Sequence, residues 1–236
     1  MIADSHFEQG TTHEVCEDYA INGVDYAIVS DGCSNNGKRC DTDWGSRILC
    51  KVAEDQLFHF SDDPSSFMKM VGVFSKEAIQ YIPNLRPECL TATLLTVHPS
   101  HDAFKVMAIG DGIVGGKRKD GRWKIHVIDM NSRAFYLKYA MFNEEALFFD
   151  EFGDQYNIHT YFGKLMTSEI DIPDEPIFSE REKIWSQVMT SSTKCHTINR
   201  EQPCHCFSFP MDDYDFVFVA SDGLESFVQP RTTTTQ

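Results

Sequence analysis

The sequence has few positive charges for its length and lacks any long apolar run. It sets 21 Lys and Arg residues against 36 Asp and Glu residues, which gives a net charge of −15 over 236 residues. A field of that sign repels phosphate backbones and anionic lipid, so neither nucleic acid nor a membrane surface is a predicted partner. No window approaches the roughly 18 apolar residues that a membrane-spanning helix needs. The acidic balance leaves sites for divalent cations open.

The first ten residues, MIADSHFEQG, lack the positively charged start and the apolar stretch of a secretory leader. The eight cysteines are therefore expected as free thiols in a reducing compartment, and the chain is expected to be cytoplasmic. A content of 42% hydrophobic residues, with 18 Phe and 8 Tyr, is enough to bury a sizeable core.

Strand and helix patterns follow one another in an order typical of an α+β domain with antiparallel sheets. Apolar residues at helical spacing predict helices over Asp41–Phe60 and Pro64–Ile82. Asn22-Gly23 and Asp120-Gly121 are typical hairpin turns, whereas residues 131–185 follow no clear period. The predicted strands are Cys16–Ile21, Val24–Ser30, Leu90–Val97, Ala103–Ile109, Ile113–Lys119, Trp123–Asp129, Cys204–Phe209 and Asp215–Ser221.

Three apolar strands end in the same dipeptide, at Asp31-Gly32, Asp111-Gly112 and Asp222-Gly223. A single Asp-Gly is usually turn chemistry, as at Asp120-Gly121. Asp31 and Asp222, however, follow runs that are apolar at successive positions, which is typical of strands buried on both faces. A carboxylate at the edge of such a core must be solvated, paired or bound to a metal, because burying it alone is costly.

Glu17 and Asp18 add two carboxylates to this group. They lie on the hairpin partner of the strand that ends at Asp31, so all of them can meet at one edge of a sheet. A set of oxygen donors, with the carbonyl of a glycine that lets the backbone come close, favours Mg²⁺ or Mn²⁺ over zinc or copper. Two such ions sharing one carboxylate would activate a water for attack on phosphorus.

The order of these segments resembles the metal-dependent protein serine/threonine phosphatases of the 2C type, and most closely their bacterial and viral 2C-like subfamily. The segments that carry the resemblance are HEVCEDYAI (13–21), AIVSDG (27–32), CLTATLL (89–95), AIGDG (108–112) and FVFVASDG (216–223). The resemblance implies two antiparallel β-sheets in a sandwich flanked by α-helices, with a binuclear Mg²⁺ or Mn²⁺ centre at one end. It also implies a hydrolase that removes phosphate from phosphoserine and phosphothreonine in protein substrates by means of a metal-activated water.

The resemblance assigns the central roles to the strand-end aspartates. Asp31 resembles the carboxylate that bridges both metals, and Gly32 resembles the residue whose carbonyl binds one of them. Asp222 resembles a ligand of the other metal. Asp31 and Asp222 are therefore the expected catalytic pair.

Four further positions match the family pattern or depart from it. Glu17 and Asp18 match the acidic pair that binds a metal directly or through its waters, and Asp111 resembles the aspartate of a weaker third metal. His13 stands where many members place a phosphate-binding arginine, and an imidazole binds phosphate well only when protonated. Cys33 stands where members of the animal branch carry a histidine proposed as the general acid.

The last motif of the family has no counterpart before Gln236. The expectation is a single 2C-type phosphatase domain over residues 1–236 that lacks its C-terminal segment, with one metal short of a ligand and little turnover. Two functions stay open at this point. One is an active Mg²⁺- or Mn²⁺-dependent phosphatase, and the other is a catalytically inactive pseudophosphatase that binds phosphoproteins or other partners.

Two further clusters carry alternative interpretations. Cysteines and histidines lie close together in one short stretch. They are interpreted either as a structural zinc site or as ordinary thiols and imidazoles of loops and strands. That stretch contains Cys195, His196, Cys204, His205 and Cys206. A basic hairpin is either a solvated strand pair or a docking site for an acidic partner. Its cations are Lys117, Arg118, Lys119, Arg122 and Lys124.

Overall fold

The architecture is a sandwich of two antiparallel sheets. The computed structural model describes residues 2–7, 15–33, 41–60, 62–130, 134–164, 189–199 and 204–221. Within these residues the strands are β1 (Tyr19–Asn22), β2 (Ala27–Ser30), β3 (Leu94–Ser100), β4 (Ala103–Ile109), β5 (Gly112–Arg118), β6 (Trp123–Asp129), β7 (Gln155–Gly163), β8 (Met189–Thr197), β9 (His205–Pro210) and β10 (Tyr214–Ala220). The first sheet has the order β1-β2-β3-β4-β9, and the second sheet has the order β10-β5-β6-β7-β8.

Helices connect and flank the strands. They are α1 (Thr42–Phe60), α2 (Pro64–Gln80), α3 (Leu137–Met141) and α4 (Glu145–Phe152), with a short 3-10 helix over Pro87–Leu90. Asp63 caps α2 by accepting a hydrogen bond from the backbone N–H of Ser66 at 3.2 Å, and Pro64 occupies the first turn. Among the described residues, no helix is long and apolar enough to cross a membrane.

Two hydrophobic cores lie on opposite faces of the first sheet. Ile28 and Leu94 point toward α1 and α2, where they pack with Leu49 and Phe67. Leu95, the next residue along β3, belongs to the core between the two sheets. Because β3 is covered on both faces, its residues from Leu94 to His98 are all buried, the polar Thr96 and His98 included. The predicted α+β class and the sandwich flanked by helices are confirmed.

The predicted two-residue turn at Asn22-Gly23 is wrong. The last pair of the β1–β2 hairpin joins Asn22 to Ala27, so residues 23–26 form the loop. Tyr26 is buried in the core against the helices, and its hydroxyl donates a hydrogen bond to Glu54 of α1. The side chain of Asn22 donates to the carbonyl of Ala3 at 3.0 Å. These tertiary contacts outweigh the local turn preference.

Other element boundaries also differ from the sequence pattern. The predicted strand Leu90–Val97 begins only at Leu94, because residues 87–90 form the 3-10 helix. The stretch 131–185, which had no clear period, contains α3, α4 and β7 in its described part. β8 was not predicted at all. Asp120-Gly121 does form the predicted turn, since Gly121 has a positive φ of 82° and β5 pairs with β6 on either side.

The apolar run of β10 is not buried on both faces, contrary to the sequence expectation. Val217 and Val219 pack into the core between the sheets. Phe216 lies on the other face of the strand and is 51% exposed. The described helices α1 and α2 pack on the first sheet, so they do not bury this face of the second.

Candidate functional site

Four of the predicted carboxylates, Glu17, Asp18, Asp31 and Asp111, lie at one end of the sandwich. Tyr19 at the start of β1 pairs with Ser30 at the end of β2, so Glu17 and Asp18 before β1 lie beside Asp31 after β2. Ile109 at the end of β4 pairs with Leu94 at the start of β3. The chain then crosses through Asp111 into β5 of the second sheet. The antiparallel register therefore brings the acidic loops of both sheets to the same end.

The backbone around Asp31 is fixed by the start of β3. The N–H of Thr93 donates to the carbonyl of Asp31 at 2.9 Å, and the N–H of Asp31 donates to Oγ1 of Thr93 at 3.0 Å. The hydroxyl of Ser30 donates to the carbonyl of Thr93 at 2.6 Å. Three hydrogen bonds to one residue hold the end of β2 and so limit where the Asp31 carboxylate can point.

Gly32 brings two acidic segments close together. Its N–H donates to the carbonyl of Glu17 at 3.2 Å. A Cβ at position 32 would lie 2.9 Å from that carbonyl oxygen and 2.9 Å from Cβ and the carbonyl oxygen of Thr42. Only glycine allows this approach. The hydroxyl of Thr42, the first residue of α1, donates a hydrogen bond to the Glu17 carboxylate and fixes its orientation.

Three of the carboxylates act on the same thiol. Desolvation raises the pKa of Cys33, and the negative charges of Asp31, Asp111 and Glu17 raise it further, while a hydrogen bond from the Tyr136 hydroxyl lowers it. Three carboxylates from three separate segments therefore converge around Cys33. A protonated thiol is a weak nucleophile, so the site does not favour covalent catalysis by Cys33.

Tyr136 closes the site on the side of α3. It is buried, and its pKa is raised by burial, by its hydrogen bond to Cys33 and by the charges of Asp111 and Asp31. The phenol therefore stays protonated. It lies directly before α3.

Asp18 belongs to the same acidic group. Burial is the largest cause that raises the pKa of Cys16, followed by the charge of Asp18, and Asp31 contributes less. Arg47 of α1 lowers the pKa of the same thiol. Its guanidinium lies 5.2 Å from the centre of the Tyr19 ring. Arg47 is thus a cation beside the acidic group that the sequence pattern did not indicate.

The donor chemistry of this group fits a hard divalent cation. Carboxylates and a glycine carbonyl are oxygen donors, and the Gly32 contact is a close backbone approach that a side chain would block. Among the described residues, no three His, Cys, Asp or Glu side chains lie close enough together to hold a metal ion. Asp222 and His13 lie outside the described residues. β10 ends at Ala220, which pairs with Ile113, so the end of β10 is beside the start of β5.

Thr42, Thr93, Tyr136 and Arg47 were missed by the sequence interpretation. None of them belongs to a motif with metal-binding or acid–base chemistry. Thr93 could have been suspected, because it lies in the CLTATLL segment that carries part of the resemblance. The other three reach the site only through the packing of α1 and α3.

The cysteine and histidine cluster lies at the same end but does not assemble a zinc site within the described residues. Cys204 and Cys206 have sulfur atoms 3.9 Å apart. His205 shares a hydrogen bond of 2.8 Å with the hydroxyl of Tyr156, and burial lowers its pKa to about 4. Cys204, His205, Tyr156 and His196 border a cavity of about 220 Å³ between β8 and β9. None of the seven cysteines in the described residues forms a disulfide.

The sequence matches a family model described as Protein phosphatase 2C over residues 4–235. No curated protein matches the chain.

The chain is also similar to several solved structures. One is described as PppA, a key regulatory component of T6SS in Pseudomonas aeruginosa, with 9% identity, a TM-score of 0.34 and coverage of 80% of this chain and 94% of that chain. Another is the Mycobacterium tuberculosis serine/threonine phosphatase PstP/Ppp, with 11% identity, a TM-score of 0.31 and coverage of 80% and 70%. A third is the catalytic domain of the serine threonine protein phosphatase PstP in complex with 2 manganese ions, with 10% identity, a TM-score of 0.32 and coverage of 81% and 96%. At such identities these likenesses assign no role to any residue.

Proposed function

Because the chain belongs to the protein phosphatase 2C family, we propose that it hydrolyses phosphoserine and phosphothreonine monoesters in proteins, in dependence on Mg²⁺ or Mn²⁺. The observation that supports this most strongly is the placement of Asp31, Asp111 and Glu17 at one end of the sandwich, near enough for their charges to add to burial in raising the pKa of Cys33. A bound divalent cation would offset the negative charge of this group.

The residues proposed to hold the metals are those that the sequence pattern singled out. They are Glu17, Asp18, Asp31, Asp111, Asp222 and the carbonyl of Gly32. When bound, the ions lower the pKa of a coordinated water and offset the negative charge of the phosphate.

The chain's own contribution is positioning. Thr93 fixes the backbone of Asp31, and Thr42 orients the carboxylate of Glu17. Thr42 and Thr93 are both buried, so the metal ligands that they contact are held in place before any ion binds. Rigid placement of ligands by such neighbours typically changes metal affinity or activity by about 10-fold to 100-fold.

His13 is proposed to contact the substrate phosphate. A protonated imidazole offers an N–H and a positive charge to the phosphate oxygens, and a neutral one offers only the N–H. Arg47 lies near the same acidic group and supplies a permanent positive charge there.

The test is hydrolysis of p-nitrophenyl phosphate and of a phosphothreonine peptide with Mn²⁺ or with EDTA. We expect a Mn²⁺-dependent rate that EDTA abolishes, even if turnover is slow. Asp31→Asn should reduce this rate by on the order of 100-fold, because it removes a charged ligand. Asp150→Asn changes the same charge on the exposed surface of α4 and should leave the rate unchanged.

Two results would separate the alternatives. Saturable Mn²⁺ binding without any turnover would identify the chain as a pseudophosphatase that keeps the site as a binding module. A rate that neither EDTA nor Asp31→Asn affects would contradict the metal-dependent mechanism.

A further inference from the structure

Two thiols lie side by side where β9 begins. Cys204 directly precedes β9 and Cys206 is the second residue of that strand, and their sulfur atoms are 3.9 Å apart. Alternate residues of a strand point to the same face of its sheet, so the two side chains project together. Cys206 pairs with Met107 of β4, which places both thiols on the face of the first sheet that carries α1 and α2. Both are free thiols in this structure.

The backbone allows a disulfide between these two positions. Cα atoms two residues apart in a strand are separated by about 6.6 Å, and disulfides join Cα atoms that are about 4.4–6.8 Å apart. The chain also bends at Cys204, which lies outside the β4–β9 ladder because the ladder ends at the pair of Ala108 and His205. A disulfide therefore requires the two sulfur atoms to approach each other by about 2 Å, without a change of strand register.

The start of β9 is held from its other face, so the two thiols keep their places. His205 lies between them in the sequence and shares a hydrogen bond of 2.8 Å with the Tyr156 hydroxyl of β7. This contact joins the first sheet to the second. Burial, followed by the charges of Cys204 and Cys206, raises the pKa of Tyr156 to about 12. The phenol therefore stays neutral when a thiolate forms beside it.

The two thiols differ in exposure, which suits them to different steps of an exchange reaction. Cys206 is exposed, whereas Cys204 is half-buried and packs against the core beneath α1 and α2. A reagent in solution therefore meets Cys206 first, because access limits the reactivity of a thiol. Cys204 is then the second thiol, held 3.9 Å from the sulfur that has reacted.

We propose that Cys204 and Cys206 form a reversible disulfide by exchange with a low-molecular-weight disulfide such as oxidised glutathione. The thiolate of Cys206 attacks one sulfur atom of the reagent, which forms a mixed disulfide and releases one thiolate. The thiolate of Cys204 then attacks the sulfur of Cys206, which forms the protein disulfide and releases the second thiolate. Two protein thiols are oxidised and the reagent is reduced to two thiols. The protons of the protein thiols pass through solvent to the thiolates that are released.

Cys195 provides a contrast within the same chain. It is also exposed, but its sulfur contacts the side-chain oxygen of Gln155 at 3.8 Å and the carbonyl oxygen of His196 at 3.9 Å. Its contacts among the described residues thus include no second thiol. Reaction of Cys195 therefore stops at the mixed disulfide. The Cys204–Cys206 pair passes through that stage quickly, because an intramolecular thiol acts at a far higher effective concentration than a dissolved one.

The test incubates the full chain with mixtures of reduced and oxidised glutathione in the presence of EDTA. Acid stops the exchange, N-ethylmaleimide blocks the remaining thiols, and tryptic peptides are separated by mass. Trypsin cleaves on either side of residues 195–200 and of residues 201–231, so Cys195 and the thiol pair fall in separate peptides. Neither peptide contains any other cysteine. The exchange involves no metal ion and no phosphate, so the result is independent of whether the chain hydrolyses phosphoesters.

We expect peptide 201–231 to change from a doubly blocked form to an unblocked form that is about 2 Da lighter than the dithiol, because two hydrogens are lost. The internal disulfide should be at least about tenfold more abundant than the mixed disulfide in this peptide. Peptide 195–200 should gain glutathione instead. Excess dithiothreitol should restore the doubly blocked form of peptide 201–231.

Three variants check the assignment of the two steps. Cys204→Ser removes the second thiol, so Cys206 should accumulate as the mixed disulfide. Cys206→Ser should slow the reaction of the peptide, because the remaining thiol is half-buried. Cys195→Ser is the matched control and should leave the oxidation of the pair unchanged. Equal melting temperatures verify that the variants fold.

Three results would overturn the proposal. The first is a glutathione-bound peptide 201–231 as the main product of the wild-type chain. The second is a pair that stays doubly blocked under conditions at which Cys195 has gained glutathione. The third is a failure of dithiothreitol to restore the two thiols. All three are measured on the wild-type chain, so none depends on the folding of a variant.

Discussion

Gly32 is the residue at which the acidic site allows the least change. Its backbone lies between the carbonyl of Glu17 and the first residue of α1, with no room for a side chain. Asp31 precedes it directly, so any shift of residue 32 also moves the proposed bridging carboxylate. The identity of this residue therefore links stability to the proposed activity.

Gly32→Ala should destabilise the fold by about 1–3 kcal/mol, because the new Cβ meets backbone atoms that cannot rotate away. It should also lower the Mn²⁺-dependent rate. Urea unfolding and p-nitrophenyl phosphate hydrolysis measure the two effects. Gly72→Ala is the matched control. Gly72 lies in α2, and its new Cβ would lie 3.1 Å from the flexible side chain of Met141. Equal stability losses in the two variants would argue against the close contact at residue 32.

At the scale of single residues, the sequence indicates the acidic donors but not the residues that position them. Asp31 and Asp111 stand out because Asp-Gly follows an apolar run, and Glu17 stands out as half of an acidic pair. Thr42 and Tyr136 have no such pattern. They lie beside the site only because α1 and α3 pack there, which is a property of the folded chain.

Among the elements, the junction of β2 and β3 determines the geometry of the site. Thr93 accepts from the backbone N–H of Asp31 through its hydroxyl and donates to the Asp31 carbonyl through its own N–H. Of these two contacts, only the first depends on the side chain. A change of the side chain therefore tests this contact without altering the strand pairing.

Thr93→Val should cost about 1–3 kcal/mol of stability, because the N–H of Asp31 loses its partner in a part-buried setting. Thr93→Ser keeps the hydroxyl and should recover most of the Mn²⁺-dependent rate. A merely structural role predicts the opposite ranking for the rate, since Val preserves the volume of Thr better than Ser does. Parallel urea titrations and rate measurements on both variants decide between the two roles.

Turns and edge strands are the elements that the sequence predicts least well. The Asn22-Gly23 turn is lost to the burial of Tyr26, whereas Asp120-Gly121 keeps its turn, in which Asp120 accepts a hydrogen bond from the N–H of Arg122 at 3.0 Å. β8 is polar and lies at the edge of the second sheet, so it lacks the apolar alternation that marks a strand. Phe216 on the outward face of β10 is 51% exposed, and none of the described helices packs on that face, so the apolar run of this strand does not indicate burial on both faces.

Across the whole molecule, buried histidines make stability depend on pH. Burial lowers the pKa of His126 from 6.5 to about 4, with the charges of Lys124 and His205 acting in the same direction. His205 is shifted similarly by burial and by His196. In the window from 6.5 to 4, the unfolded chain binds protons that the folded chain excludes.

The free energy of unfolding should therefore fall as the pH drops from 6.5 to 4, by up to about 1.4 kcal/mol per pH unit for each of these histidines. His126→Asn should make this dependence shallower, because it removes one of the two groups. Urea unfolding at several pH values measures the slope for both proteins. Parallel slopes would show that His126 titrates normally in the folded chain.

The α+β class with antiparallel sheets was predictable from strand patterns around a helical pair, and the two-sheet sandwich was predicted from the family resemblance. The family followed from five segments in the right order, and the match over residues 4–235 confirms it. The exposure of Phe216 was not predictable, because it depends on the place of β10 at the edge of the second sheet.

Calorimetric titration of Mn²⁺ tests whether the acidic end of the sandwich binds Mn²⁺ or Mg²⁺ through Asp31. We expect saturable binding to the wild-type chain and its loss in Asp31→Asn, while Asp150→Asn should bind like the wild type. The same contrast should appear as a Mn²⁺-induced rise in melting temperature, because the ion binds only the folded state. No binding at millimolar Mn²⁺, or equal binding to wild type and Asp31→Asn, would show that Asp31 does not hold a metal ion.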